Sequence, residues 1–107
     1  MTSFQAYSHK NKSYFGHFFT DATSREIEQS VHDAHIAYHA TKHMPCKKRA
    51  VLFEHVAQII EQALPVLSAV IAEETALPED RIQNEAQRTI RHWRMFAQVL
   101  HSGVHIE

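Results

Sequence analysis

From Ile27 to Leu100, apolar residues return every three or four positions, and that spacing commits most of the chain to helices with one buried stripe each. The first opens at Thr23-Ser24-Arg25-Glu26, where a threonine N-cap and a glutamate three residues on can satisfy each other's backbone donors. Ile27, Val31, Ala34 and Tyr38 follow at i, i+4, i+7 and i+11, predicting a core-facing helix that ends near His39 to Lys42. Pro45 stands at a plausible first helical position of the next, which carries Leu52, Phe53, Val56, Ala57, Ile60, Ala63 and Leu64. Pro65 has no N–H to donate, so the pattern predicts a break or kink there and a short third helix on Leu67, Val70 and Ile71. After Pro78 a fourth helix is lined by Ile82, Ala86, Thr89, Trp93, Phe96, Ala97 and Leu100, and Gly103 lies where a left-handed glycine would stop it.

Ahead of the helices, Phe4, Tyr7, Tyr14, Phe15, Phe18 and Phe19 flank the polar stretch Ser8 to Ser13, which reads as two short extended pieces about a turn. A lone hairpin is marginal in water, so these aromatics need a helix to pack on or a larger sheet to join, including one outside this chain. The expected class is therefore mostly α: a short N-terminal β piece in residues 1–22, then four amphipathic helices in 23–107. With no repeat, linker or low-complexity tract, residues 1–107 form a single block, expected to be an incomplete domain.

Composition narrows the function. The 107 residues suffice for one domain or part of one, and 44% hydrophobic with 21% charged residues is ordinary for a folding chain. Gly16 and Gly103 are the only glycines, which leaves no room for a dinucleotide fingerprint or a phosphate loop. A single cysteine, Cys46, excludes an internal disulfide framework and paired-cysteine zinc folds, and suits a reducing compartment. A net charge of −1 supplies no field for nucleic acid or anionic membrane. The start lacks an apolar signal region, and the run Ala63 to Ala72, interrupted by Pro65 and Ser68, is too short to span a bilayer. The expected setting is cytoplasmic, without nucleic-acid or membrane partners.

Three constellations invite chemistry. His32, His35, His39 and His43 fall at i, i+3, i+7 and i+11, a face that could hold zinc, nickel or copper, but no acidic or cysteine side chain is placed to close a site, so a solvated face is favoured. Arg81, Arg88, Arg91 and Arg94 around Trp93, with Lys47, Lys48 and Arg49, could form a nucleic-acid surface, diluted by Glu79, Asp80 and Glu85; Trp93 shares its face with apolar neighbours and reads as core. Cys46, near a helix N-terminus beside Lys47 and Lys48, has no histidine–carboxylate constellation in local sequence to support catalysis and reads as an ordinary surface or half-buried cysteine. No catalytic, cofactor-binding or metal residue is assigned.

The order of these elements resembles the N-terminal segment of aldehyde dehydrogenases. The resemblance is carried by Ser24 to Tyr38, by the Pro-x-x-x-Arg-x-x-x-Leu opening within Pro45 to Phe53, and by Glu74-Thr75-Ala76-Leu77-Pro78, similar to a Glu-Thr-Gly-Lys/Leu-Pro junction. Alanine replaces the usual glycine there, and a left-handed residue at that point would be strained. Arg81 to Glu85, Arg88-Thr89 and Arg94 to Ala97 are similar to the subgroup that oxidises ketoglutarate semialdehyde (2,5-dioxovalerate). The resemblance implies the first strand piece and initial helices of the family's α/β cofactor-binding domain. It implies NAD or NADP for the parent enzyme and no cofactor for this chain, because the Gly-Gln-x-Cys nucleophile, the Glu-Leu-Gly-Gly glutamate and the glycine-rich loop are absent. The chain alone is expected to be non-catalytic, with the remainder of the dehydrogenase or a second copy as its partner. The alternative is a stand-alone small helical domain binding a protein partner or a metal through its His-rich face.

Overall fold

Backbone donors at Thr23 and Glu26 are satisfied as the capping box requires. In the computed structural model, which describes residues 2–103, the Thr23 N–H donates to Glu26 Oε2 (2.7 Å) and the Glu26 N–H to Thr23 Oγ1 (3.2 Å). They start α1 (Ser24–Thr41), the third element of five: β1 (Ser3–Ser8), β2 (Ser13–Thr20), α1, α2 (Cys46–Thr75) and α3 (Glu79–Ser102). The Thr23 backbone N–H, and then its hydroxyl, hold the Glu26 carboxyl below the ordinary carboxylate range. The carboxylate's contribution is therefore present above that range and lost as pH falls through the lowered value. Glu26→Ala at neutral pH, or acidification of the native chain, is expected to fray the first turn of α1, read as faster amide exchange at residues 24–28.

There are three helices among the described residues, not four. Pro65 lies inside α2, which runs unbroken for 30 residues. The cost of the missing N–H is borne because Pro65 itself is exposed, while Leu64 and Ser68 on either side of it are buried in the α2–α3 pair. The merged helix corrects a second expectation: α2 is long and apolar enough to cross a membrane by length and composition, with a mean hydropathy of 1.4 over its best window. It nevertheless packs lengthwise on α3, so it is built as one member of a helix pair.

That pair is the core. Ala50, Ala57 and Leu64 recur along α2 at two-turn steps, Ser68 follows one turn on, and they meet Ile82, Ile90 and Ala97 of α3, all buried. Small residues on α2 let the axes approach, and Ile90 fills the space with no exposure at all. The cross-links step in opposite directions, Glu54 to His101 (3.1 Å), Glu61 to Arg94 (3.0 Å) and Gln83 Nε2 donating to Ser68 Oγ (3.0 Å), which defines an antiparallel hairpin. Both helices end on left-handed residues, Ala76 (φ 57°) and Gly103 (φ 70°). Ala76 adopts the conformation that costs a Cβ-bearing residue about 1 kcal/mol, the strain the junction's alanine implies.

The aromatic segment forms an antiparallel two-stranded sheet, Ser3 opposite Thr20 and Ser8 opposite Ser13, with a bulge opposite Gln5 and Ala6. Gly16 and His17 are the extra residues, and Gly16 takes φ 77°, where its carbonyl receives the Gln5 side-chain amide (2.6 Å). The turn is pinned to the end of α2. Buried Ser8 Oγ donates to Glu73 Oε1 (2.6 Å), Asn11 Nδ2 donates to the same oxygen (2.5 Å), and the Asn11 N–H donates to Ser8 Oγ (2.9 Å). Glu73→Ala removes both side-chain anchors and is expected to release the hairpin by about 1–3 kcal/mol. Hydrogen exchange would show it as faster β1 and β2 amides with α2–α3 protection unchanged.

Candidate functional site

The constellations that invite chemistry end in structural duties or stand apart. Among the described residues, no three His, Cys, Asp or Glu side chains converge as metal ligands. His43 lies beyond the end of α1, and His32 stays separate, while His35 and His39 come together with Nε2 atoms 3.1 Å apart. Of the basic residues, Arg94 pairs with Glu61 and Arg49 donates to the Thr41 carbonyl (2.8 Å), tying the end of α1 to α2. Trp93, expected in the core, is instead half-buried on the wall of an open groove, edge-on against Phe53 with ring centroids 5.1 Å apart. Cys46 is half-buried at the start of α2.

What the geometry presents is apolar surface. The α1 stripe, expected to face a core, faces none: Ile27 is 56% exposed, Val31 66% and Tyr38 60%, because no other element packs along this helix. The hairpin shows Phe4, Tyr14, Phe18 and Phe19 to solvent, with only Phe4 and Phe19 stacked on each other (5.5 Å). A groove of about 430 Å³ opens on α2 and α3 between Phe53, Thr89, His92, Trp93 and Phe96. On α2, Val51, Leu52, Ile59, Val66, Leu67 and Val70 are exposed too.

Two global quantities show how much is uncovered. The radius of gyration is 18.3 Å; a compact chain of this length has roughly 13 Å. The accessible surface is 8500 Å²; a compact monomer of this mass exposes about 6100 Å². Large apolar side chains are exposed on every element, from Phe4 and Phe18 through Val31 and Val66 to Phe96. Ala50 and Ile90 are the apolar core residues that the spacing argument passes over, and Ile90 is the larger. It lies between Arg88 and Arg91, yet its step of eight from Ile82 and seven to Ala97 is the signal that places it.

The fold is thus an antiparallel hairpin plus three helices whose apolar faces lie largely open to solvent. The aldehyde dehydrogenase family model matches residues 2–106, and the chain belongs to that family. It is 34% identical over 88 residues to the alpha-ketoglutaric semialdehyde dehydrogenase of Acinetobacter baylyi, an alignment covering 82% of this chain and 17% of that protein. The chain therefore spans about a sixth of the length of the curated relative it matches. No solved structure matches it significantly. The family is one of oxidoreductases that use NAD or NADP.

Proposed function

We propose that this chain is the N-terminal scaffold of an NAD(P)-dependent aldehyde dehydrogenase acting on a semialdehyde of the ketoglutarate type, and that it contributes packing surface to the cofactor-binding domain without contributing chemistry. The observation that carries this reading is the α1 stripe: a capped, 18-residue helix with a continuous apolar face and no buried residue has been shaped for a neighbour. Aldehyde oxidation in this family needs a cysteine thiolate to attack the carbonyl, a nicotinamide to accept hydride and a base to activate water for thioester hydrolysis. Cys46, the chain's one thiol, stands at a helix start outside the Gly-Gln-x-Cys setting, and the glycine-poor sequence offers no pyrophosphate loop.

The partner in this reading is the remainder of the dehydrogenase, and in its absence a second copy of the chain. The setting is cytoplasmic, the open face of α2 being covered by protein rather than lipid. The purified chain is expected to oxidise no aldehyde with NAD or NADP, to bind a hydrophobic dye and to self-associate. A cooperative, monomeric melt without dye binding would contradict the scaffold reading, because two-state unfolding needs a closed core. NAD(P)-dependent oxidation of ketoglutarate semialdehyde by the chain alone would contradict the division of labour.

A further inference from the structure

Two imidazole nitrogens come within bonding range of one common ion on the helix with least support. His35 and His39 are one turn apart on α1, their Nε2 atoms 3.1 Å apart and their rings nearly perpendicular, 82° at a centroid distance of 4.5 Å. With metal–nitrogen bonds of about 2.0–2.1 Å, two imidazoles on one ion place their nitrogens about 2.9 Å apart at a right angle and about 3.4 Å apart in a tetrahedron. The observed separation falls between these values. The pair is exposed, as is all of α1 except Thr41. On a helical wheel His35 and His39 sit roughly 60° and 100° round from the centre of the Ile27–Val31–Tyr38 stripe, so a partner on that stripe leaves His39 in water with His35 at its edge.

We propose that His35 and His39 form a two-imidazole chelate for a divalent transition-metal ion of the zinc, nickel and copper group, with water completing the coordination. In the metal-free chain one Nε2–H donates to the other Nε2. For chelation the donating ring moves its proton to Nδ1, freeing both Nε2 lone pairs with no net proton loss. Because α1 packs on no other element, its helicity rests on its cap and on side chains four residues apart, such as Gln29 with Asp33 (2.9 Å). An ion bridging one turn binds the helical form and not the coil, so metal raises the helix content of this segment. The Tyr38 ring, 5.4 Å from that of His39 at 65°, restricts one side of the site.

The test is a titration of the untagged 107-residue chain with zinc chloride, following heat and far-ultraviolet circular dichroism together. One equivalent is expected to bind first with a rise in helical signal. His35→Gln and His39→Gln should each weaken that event about tenfold or more, since each removes one arm of the chelate. His32→Gln and His43→Gln should leave it in place. The double variant His35→Gln/His39→Gln keeps the cap and the stripe, and its metal-free helical signal shows whether α1 still forms. Equal weakening by all four variants would reduce the effect to adventitious binding by a His-rich chain and overturn the proposal. So would binding without any gain of helix, or binding that survives in the double variant.

Discussion

Replacing Ile90 by alanine is expected to cost about 2–5 kcal/mol, a loss large enough to dissolve the α2–α3 pair. Ile90 has no exposed surface and is the largest apolar side chain fully enclosed among the described residues. It stands midway along the buried line of α3, between Ile82 and Ala97, where that helix packs on α2. Urea unfolding followed by the helical signal should show the midpoint falling sharply or the transition vanishing. Ile36→Ala, which trims a residue 54% exposed on α1, should move it by no more than about 0.5 kcal/mol. Equal effects from the two would mean that Ile90 does not hold the core.

Pro65→Ala is expected to act in the opposite direction, raising stability by about 1–3 kcal/mol. The substitution offers an N–H to the Glu61 carbonyl and removes the ring that crowds it, at a position that is itself exposed. The nearby Glu61–Arg94 pair is half-exposed on both sides and adds little that could mask the gain. A lower midpoint in the same urea experiment would show instead that the helix pair depends on the bend or spacing that proline imposes.

These two residues also mark where sequence reading holds and where it gives way. Thr23 with Glu26, Gly103, and the turn between Ser8 and Ser13 were legible because their physics is local: each device closes within a few residues. Pro65 misleads because its penalty is local but the restraint that overcomes it, burial of Leu64 and Ser68 on α3, comes from residues farther along the chain. Ile90 escapes because a stripe drawn through Thr89, Trp93 and Phe96 follows the open groove, while the buried line through Ile82, Ile90 and Ala97 lies beside it. The α1 stripe was readable as a stripe, yet no pattern within α1 could say that its cover is missing. The close approach of His35 and His39 was visible as spacing, but which two of four histidines meet depends on rotamers and on where the helix stops.

The scaffold reading also accounts for Glu73. A single carboxylate oxygen that receives both Ser8 and Asn11 holds the hairpin at the end of α2, fixing where the exposed aromatics are presented. Loss of that anchor would misplace the strands before any partner arrives, so Glu73→Ala should weaken assembly more than its local cost suggests.

The central claim is that the chain is a working N-terminal layer awaiting the rest of a dehydrogenase. The most direct measurement is complementation: co-express the 107 residues with the Acinetobacter baylyi alpha-ketoglutaric semialdehyde dehydrogenase lacking its own matching segment, purify the complex, and follow NAD(P)H formation from the semialdehyde. The account predicts a stable complex with activity that neither piece has alone, reduced by charged substitutions at Val31 and Tyr38 of the α1 stripe. A chain that stays separate from the shortened enzyme, or activity indifferent to those substitutions, would contradict it.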